Sequence, residues 1–406
     1  MKLGWVDFSK DDREKVLDVI NLLAEQGAVD ELGIGLVRDG FANYFFPGTS
    51  TVQTRAKYFL IVPYVLQEAV SGKYGNRVPE ILQRIDENEK DCGVRLYRKY
   101  AENPIGVGII GARVLPKRWV ARKPSNIYWN GIRTFGISLQ DSVSITDIIK
   151  LSVYFRQQNR EKTLGNRRDE ADEGDKDDRD AGRAEAVRFF ELPEAVPDNW
   201  RDTLDIELTA EEAYFLRDRI QKSVPDTLLA WLLKNNIDIK QYESFEMMAA
   251  DLQDRVPEDL NHMIQLACRF NRLVYAARVR YNVILSRGKN ETANQEWDIV
   301  MNDIPRVTEV DLEDVITSLH LMNFKLRRFL TGFKAALLAG DEAKIDEIIL
   351  NREIELKTRS RAKLCHAEDY DPNGWVGGGY LDYRFSDAKQ ILIDIYHGEE
   401  GAHVSN

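Results

Sequence analysis

A run of charged and small residues at positions 161–186 interrupts the chain and limits what either side of it can fold into. The segment reads EKTLGNRRDEADEGDKDDRDAGRAEA and contains almost nothing apolar. Such a segment cannot bury enough surface to offset the entropy lost on ordering it. We therefore predict an acidic flexible linker or surface insertion at 161–186, between an N-terminal domain at 1–160 and a C-terminal domain at 187–406.

The two sides of this segment carry opposite net charge. Residues 1–160 hold 23 Lys and Arg against 18 Asp and Glu, whereas residues 161–406 hold 33 against 49. A chain with a formal charge of −11 thus contains a mildly basic N-terminal part. Regions of opposite sign within one chain indicate different binding partners.

The hydrophobic pattern predicts a mainly α fold, with a smaller α+β content in the N-terminal half. A helix is expected over 36–45, and the glycine- and proline-rich stretch at 103–124 suggests loops or short strands. Long helices are predicted at 259–286 and 312–337. The second ends at Ala339-Gly340-Asp341, which is typical of the turn in a tight αα-hairpin.

Three observations bear on location. The longest apolar run, Tyr58 to Leu66, has nine residues and contains Pro63, which is too short to span a bilayer. The N-terminus MKLGWVDFSKDDREK is too charged for a signal peptide. The three scattered cysteines suit a reducing compartment. We expect a cytoplasmic protein with no membrane partner.

The strongest binding signal is a window at 103–140 that contains no Asp or Glu. Basic side chains neutralise phosphates, and aromatic rings can stack on unpaired bases. The alternatives are a basic surface loop whose aromatics anchor it to the core, or a patch that docks acidic protein. The candidate nucleic-acid-binding residues of this window are Arg113, Lys117, Arg118, Trp119, Arg122, Lys123, Tyr128, Trp129 and Arg133.

Two further stretches carry weaker signals. The predicted helix at 259–286 aligns Arg269, Arg272, Arg280 and Arg287 in one stripe, which can follow a phosphate backbone or pair with carboxylates of the same domain. Residues 38–55 resemble two helices joined by a Pro-Gly turn, like a helix-turn-helix. There Thr51, Gln53 and Arg55 would open the recognition helix, although a capped core helix would look the same.

No complete catalytic motif is present in the sequence. Gly106-Val-Gly-Ile-Ile-Gly111 matches the dinucleotide fingerprint in letters, but prolines flank it and no acid follows before Asp141. Asp226, Asp238 and Lys240 have the outline of a metal-dependent nuclease, although Asp226 is better explained as a helix N-cap. We expect no catalytic residues, no metal ligands and no cofactor.

Four segments point to a known family. They are Leu3-Gly-Trp-Val-Asp-Phe-Ser9, Asp30-Glu-Leu-Gly-Ile-Gly35, Phe46-Pro-Gly-Thr-Ser-Thr-Val-Gln-Thr-Arg-Ala-Lys-Tyr-Phe59 and Ile127-Tyr-Trp-Asn-Gly-Ile132. Together with the closing segment at 380–385 they resemble a family of uncharacterised bacterial proteins of this length, a domain of unknown function. The resemblance implies a component of antiphage defence islands encoded beside helicases and phospholipase-D-type nucleases, with Azaca-type clusters as one setting. It supplies no catalytic residues.

The opposite net charges of the two parts, the acid-free window at 103–140 and the family resemblance together favour a non-enzymatic protein that contacts DNA. It would be an adaptor or sensor subunit of a bacterial defence complex. Its partners would be DNA and a helicase or nuclease protein. One alternative is an interaction scaffold without intrinsic DNA binding. The other is a divergent metal-dependent nuclease that uses Asp226, Asp238 and Lys240.

Overall fold

A computed structural model describes residues 30–140, 142–169, 188–194, 196 and 199–404. This part of the chain is mainly helical. Its α-helices, in chain order, are α1 Gly35–Phe45, α2 Tyr58–Val70, α3 Val78–Lys99, α4 Pro124–Thr134, α5 Ile145–Asp169, α6 Ala210–Ser223, α7 Leu228–Lys234, α8 Phe245–Leu252, α9 Glu258–Leu285, α10 Glu291–Asn302, α11 Ile304–Val307, α12 Leu312–Ser318, α13 Phe324–Ala339, α14 Glu342–Lys357 and α15 Phe385–Val404. Short 3₁₀ segments cover Ile239–Gln241 and Lys363–Asp369.

The chain forms two compact units, each assembled from two separate segments. Unit 1 comprises Met1–Tyr44 and Glu243–Tyr383, and unit 2 comprises Phe45–Tyr242 and Arg384–Asn406. Residues 161–169 of the predicted acidic linker belong to helix α5 and so do not form a flexible linker, whereas the rest of it lies outside the described residues. The domain division drawn there stays a prediction.

The core of unit 2 is built on α2, whose sequence YFLIVPYVLQEAV is apolar on nearly every side. A helix that is hydrophobic all round must be covered all round, and α3, α4 and α5 pack against it. Helix α15 packs on α6 through Gly398, where an added Cβ would lie 2.7 Å from the Cβ of Ala213. Gly398 therefore marks a close helix contact.

The core of unit 1 is organised around α9, which contacts α8, α10, α11, α12 and α14. The predicted helix at 259–286 is confirmed by α9. The predicted αα-hairpin is also confirmed: Gly340 ends α13 in the left-handed region, at φ 65°, and Asp341 caps α14 by accepting from the Lys344 backbone N–H at 3.0 Å.

One helix prediction in this unit is wrong. The expected helix at 312–337 is divided into α12 and α13, because His320 takes a left-handed φ of 52° after Ser318. Helix α13 then begins at Phe324, and Asn323 caps it by accepting from the Leu326 backbone N–H through its side chain. Apolar periodicity alone does not reveal such a break, since both pieces bury the same kind of face.

The α+β content expected in the N-terminal half is not supported. Among the described residues the only β pairing is an isolated antiparallel bridge between Ser138 and Phe190. The glycine-rich stretch near residue 106 folds as consecutive turns. Within the described ranges, none of the helices combines the length and the apolar character that crossing a bilayer requires.

Candidate nucleic-acid interface

The acid-free window forms a long connection in unit 2 between α3 and α4. We call residues 103–123 the basic loop. Its turns need backbone conformations that favour glycine: Gly108 has φ 85° and Gly111 has φ 86°. A Cβ at Gly111 would also lie 3.2 Å from the Trp119 ring. The glycines of the fingerprint-like segment therefore shape a compact loop instead of a strand-to-helix turn.

The inner side of the basic loop is fixed by buried and partly buried hydrogen bonds to the chain around α2. The Tyr58 hydroxyl accepts from the Ile110 backbone N–H at 2.9 Å, and the Thr54 hydroxyl donates to the Gly108 carbonyl at 2.6 Å. Arg55 donates from Nη1 to the Val107 carbonyl at 3.0 Å. Buried groups held in this way give the loop one conformation.

The end of the basic loop is fixed against α3. Trp119 donates from Nε1 to the Asp86 carboxylate at 3.0 Å, and the Lys123 Nζ lies 2.8 Å from the same carboxylate. Ser125, in the first turn of α4, donates its backbone N–H at 2.6 Å and its hydroxyl at 3.0 Å to buried Glu89. Burial raises the pKa of Glu89 to about 7. Trp119 and Lys123 thus serve as anchors.

The outer side of the loop carries the cations that remain. Arg113, Lys117, Arg118 and Arg122 are exposed, and none of them lies within ion-pair distance of a carboxylate in the described part of the chain. We call these four side chains the loop cations. An exposed cation without an acidic partner is available to a phosphate, because no existing ion pair has to be broken first.

The other candidates of this window have structural surroundings. Tyr128 is fully buried, and its hydroxyl donates to the Arg55 carbonyl at 2.9 Å. Trp129 is half-buried, with its ring edge-on to Phe190, and Arg133 is half-buried in α4. A fully buried ring cannot stack on a base, so this arrangement favours phosphate contact over base stacking.

The helix-turn-helix-like segment folds differently from its prediction. Thr51, Gln53 and Arg55 precede α2, which begins at Tyr58, so they do not open a recognition helix. Thr51 is exposed. Gln53 is buried and donates to the Gly48 carbonyl at 3.1 Å, while Arg55 lies 2.9 Å from the Asp394 carboxylate. The polar side chains of Gln53 and Arg55 therefore bind groups of the protein itself, the Gly48 carbonyl and the Asp394 carboxylate.

The arginine stripe on α9 in unit 1 is neutralised. Arg269 and Arg272 each lie 3.2 Å from Glu309. Arg280 pairs with Asp346 at 2.6 Å and with Glu342 at 3.0 Å. Arg287, just after the helix, lies 3.8 Å from Glu368. Of the two roles weighed for this stripe, the contacts favour internal ion pairing.

The predicted nuclease residues also have local roles. Thr227, not Asp226, caps α7, by accepting from the Ala230 backbone N–H. Asp238 accepts from the Lys240 backbone N–H, and the Lys240 Nζ lies 2.7 Å from the His397 Nε2. In the described residues these groups stand on helix ends and turns, whereas the predicted chemistry needs adjacent strands.

Metal-ligand geometry occurs elsewhere in the described residues. His366, Glu368 and Asp369 each offer one ligand atom, and these atoms lie within 4.8 Å of one another. The group sits in the 3₁₀ segment Lys363–Asp369 of unit 1, with two of the three residues exposed. Three side chains on one helical turn lie close together whether or not they bind an ion, so their proximity does not identify a metal site.

Two features of unit 1 were missed by the sequence analysis. Met322 and Phe324 are 72% and 75% exposed beside the break between α12 and α13. Tyr275 and Tyr380 stack with ring centroids 4.2 Å apart at a large cavity. A glycine run at 377–379 precedes Tyr380, but the two tyrosines are about a hundred residues apart in sequence, so local patterns do not bring them together.

Comparison with known proteins gives one match. The model of a family of unknown function (DUF6361) matches residues 1–149. No curated protein and no solved structure matches the chain. The matched part includes the basic loop and excludes α9 and the segment at 380–385. The N-terminal third is therefore similar to a family whose function is not assigned.

Proposed function

We propose that the chain is a DNA-contacting adaptor or sensor subunit of a bacterial defence complex, and that it binds phosphates through the basic loop. The observation that carries the proposal is the set of four loop cations, which are exposed and lack carboxylate partners in the described residues. The defence role rests on the family resemblance.

The anchoring of the loop supports a binding role. Exposed lysines and arginines are common, and most of them occupy no fixed position. Here the backbone that carries the cations is held on one side by Tyr58, Thr54 and Arg55 and at its end by Asp86 and Glu89. A fixed backbone lowers the entropy lost when the side chains engage a phosphate.

The net charge of −11 sets the conditions under which binding is measurable. An acidic protein is repelled by DNA at long range, so binding requires a local basic surface. Phosphate contacts release counterions, and the affinity then falls steeply with salt. We expect binding at about 50 mM salt that weakens by roughly a hundredfold at about 200 mM, the change that four phosphate contacts predict.

The test is a fluorescence anisotropy titration with single-stranded and double-stranded DNA of several sequences. In one variant Arg113, Lys117, Arg118 and Arg122 are all changed to Gln. We expect its affinity to fall about a hundredfold, equally across sequences, and its salt slope to lose about 3.6, or 0.9 for each contact.

A matched control removes four other cations of unit 2. Arg77, Arg84, Lys150 and Lys222 are exposed, and each is paired with an acid on its own helix turn or cap. Changing all four to Gln alters the net charge by the same amount, and we expect less than about a threefold effect. Equal losses in both variants, or no binding by the wild type at low salt, would refute the proposal.

A second candidate is an interaction scaffold that binds a helicase or nuclease protein without touching DNA. The exposure of Met322 and Phe324 favours it, because large apolar side chains exposed together mark protein contacts. Co-purification with the proteins encoded beside this gene, with and without nuclease treatment, separates the two. Association that survives nuclease treatment and is lost in Met322→Ser/Phe324→Ser, without DNA binding by the chain alone, would favour the scaffold.

A further inference from the structure

Unit 1 contains a cavity that the proposed function does not use. It measures about 610 Å³ and is lined by residues of α8, α9, α10 and α11 and by Tyr380. We call it the tyrosine cavity. Its size matches the range typical of small-ligand sites.

The aromatic wall of this cavity is preorganised. Tyr275 on α9 stacks on Tyr380, with an interplanar angle of 14°. The Tyr275 hydroxyl donates to Glu296 at 3.0 Å, which fixes its ring, and Tyr380 is 52% exposed. One aromatic ring is thus held in place and a second lies open to a ligand.

Two carboxylates at the same cavity form no ion pair with a described residue. Glu246 accepts from the side-chain amide of Asn271, and Glu296 accepts from Tyr275. Neither lies within ion-pair distance of a lysine, arginine or histidine in the described part of unit 1. Burial raises the pKa of Glu246, with repulsion from Asp382 adding to this and the Asn271 hydrogen bond and the charge of Arg272 in the cavity wall opposing it.

The arginines at the cavity are engaged with other acids. Arg272 pairs with Glu309 at 3.2 Å, and Arg306 lies 3.9 Å from Asp303. Cys268 is buried, and burial raises the pKa of its thiol to about 12. A thiol in that state is a weak nucleophile, so the cavity is suited to binding and not to covalent chemistry.

We propose that the tyrosine cavity binds a guanidinium group, on a free guanidino compound or on an arginine side chain of a partner. A planar cation stacks on a tyrosine face and donates a fork of hydrogen bonds to a carboxylate. Tyr380 offers the open face, and Glu246 and Glu296 offer the acceptors. An ammonium group lacks the flat surface that this wall presents.

The test measures binding of N-acetyl-arginine amide and of a short arginine-containing peptide by calorimetry, with the lysine analogues as controls. We expect a Kd of about 1 mM or tighter for at least one arginine probe, and binding at least about tenfold weaker for lysine. If the peptide binds more tightly than N-acetyl-arginine amide, the natural source of the guanidinium group is an arginine side chain of a partner. If the two probes bind with equal affinity, the source is a free guanidino compound.

Two variants locate the site. Glu296→Gln keeps the shape and removes one charge, and Tyr380→Ala removes the open ring. Each should weaken the arginine probe by about tenfold or more. Glu243→Gln and Tyr214→Ala, at exposed positions that do not line the cavity, are the controls and should leave binding unchanged.

Thermal melting verifies that each variant is folded. No saturable binding of either arginine probe by the wild type, or equal binding of lysine, overturns the proposal. So does unchanged binding in both folded cavity variants. DNA binding by the loop is measured separately and does not enter this outcome.

Discussion

Two stretches of the chain give the same sequence signal and have opposite surroundings in the structure. The basic loop and α9 both contain long runs without Asp or Glu, and both carry several arginines. In the loop, four cations have no carboxylate within ion-pair distance in the described residues. On and just after α9, Arg269, Arg272, Arg280 and Arg287 each have one.

The difference comes from residues that are distant in sequence. The carboxylates that pair with the arginines of α9 belong to Glu309, Glu342, Asp346 and Glu368. Glu309 follows Arg272 by 37 residues, and the two acids paired with Arg280 follow it by 62 and 66 residues. A helix surrounded by other helices has their acids within reach of a long side chain. A local absence of acids therefore indicates a basic surface only where the fold brings no acids from elsewhere.

The largest effect is expected from Arg280, because it is the most buried cation of the stripe. Arg280 pairs with Asp346 and Glu342 and lies over the Trp297 ring at 4.9 Å. Arg280→Ala removes charge-assisted hydrogen bonds and this packing. We expect the free energy of unfolding to fall by about 2 to 3 kcal/mol, measured by urea denaturation.

DNA binding is the companion measurement for Arg280→Ala. The comparison predicts unchanged affinity at temperatures where the variant is folded, because a cation already held by two carboxylates offers nothing to a phosphate. A folded variant with a tenfold loss of DNA affinity would mean that α9 belongs to the interface.

Local sequence patterns predicted helices such as α9, but they predicted neither the break within 312–337 nor the pairing of charges. Helix α9 and the turn at Gly340 follow from apolar spacing and from a left-handed glycine, which are local properties. The role of Gly398 depends on its packing partner Ala213, and the left-handed His320 that breaks the helix interrupts no apolar spacing. The site shows the same limit: the composition of the window indicated the loop cations, whereas the anchoring of Trp119, Lys123 and Tyr128 requires Asp86 and the chain before α2.

A smaller effect, with a distinctive pH dependence, is expected from Glu89 under the basic loop. Burial raises the pKa of Glu89 from 4.5 to about 7, with the two hydrogen bonds from Ser125 and the charge of Lys123 opposing this and repulsion from Asp86 adding to it. The folded chain keeps this proton where the unfolded chain has released it. The contribution of this group to stability is therefore complete below about pH 4.5 and is lost as the pH rises through 7.

Glu89→Gln imitates the protonated carboxyl at every pH. We expect the variant to match the wild type near pH 4.5 and to exceed its free energy of unfolding by about 2 kcal/mol at about pH 8. Glu87→Gln is the neighbouring control, because Glu87 is exposed on the same helix and its removal should give no such pH dependence. A stability difference between wild type and Glu89→Gln that does not vary with pH would show that the pKa of Glu89 is the same in the folded and the unfolded chain.

The smallest effect is expected from removing Glu309, one of the acids whose ion pairs distinguish the arginines of α9 from the loop cations. Glu309 pairs with both Arg269 and Arg272, and all three side chains are partly exposed. Glu309→Gln should cost less than about 1 kcal/mol of stability, because exposed ion pairs contribute little. If ion pairing is what prevents the arginines of α9 from binding DNA, the two released arginines should raise the DNA affinity by roughly two- to fivefold at low salt.

Glu313→Gln is the matched control, because it removes one charge from unit 1 and releases a single arginine, Arg327. A larger gain in Glu309→Gln than in Glu313→Gln would confirm that neutralisation distinguishes α9 from the basic loop. Equal small gains would come from net charge alone. In that case the arginines of α9 do not bind DNA because neighbouring helices cover them. The four loop cations would then bind because they are exposed, more than because they are unpaired.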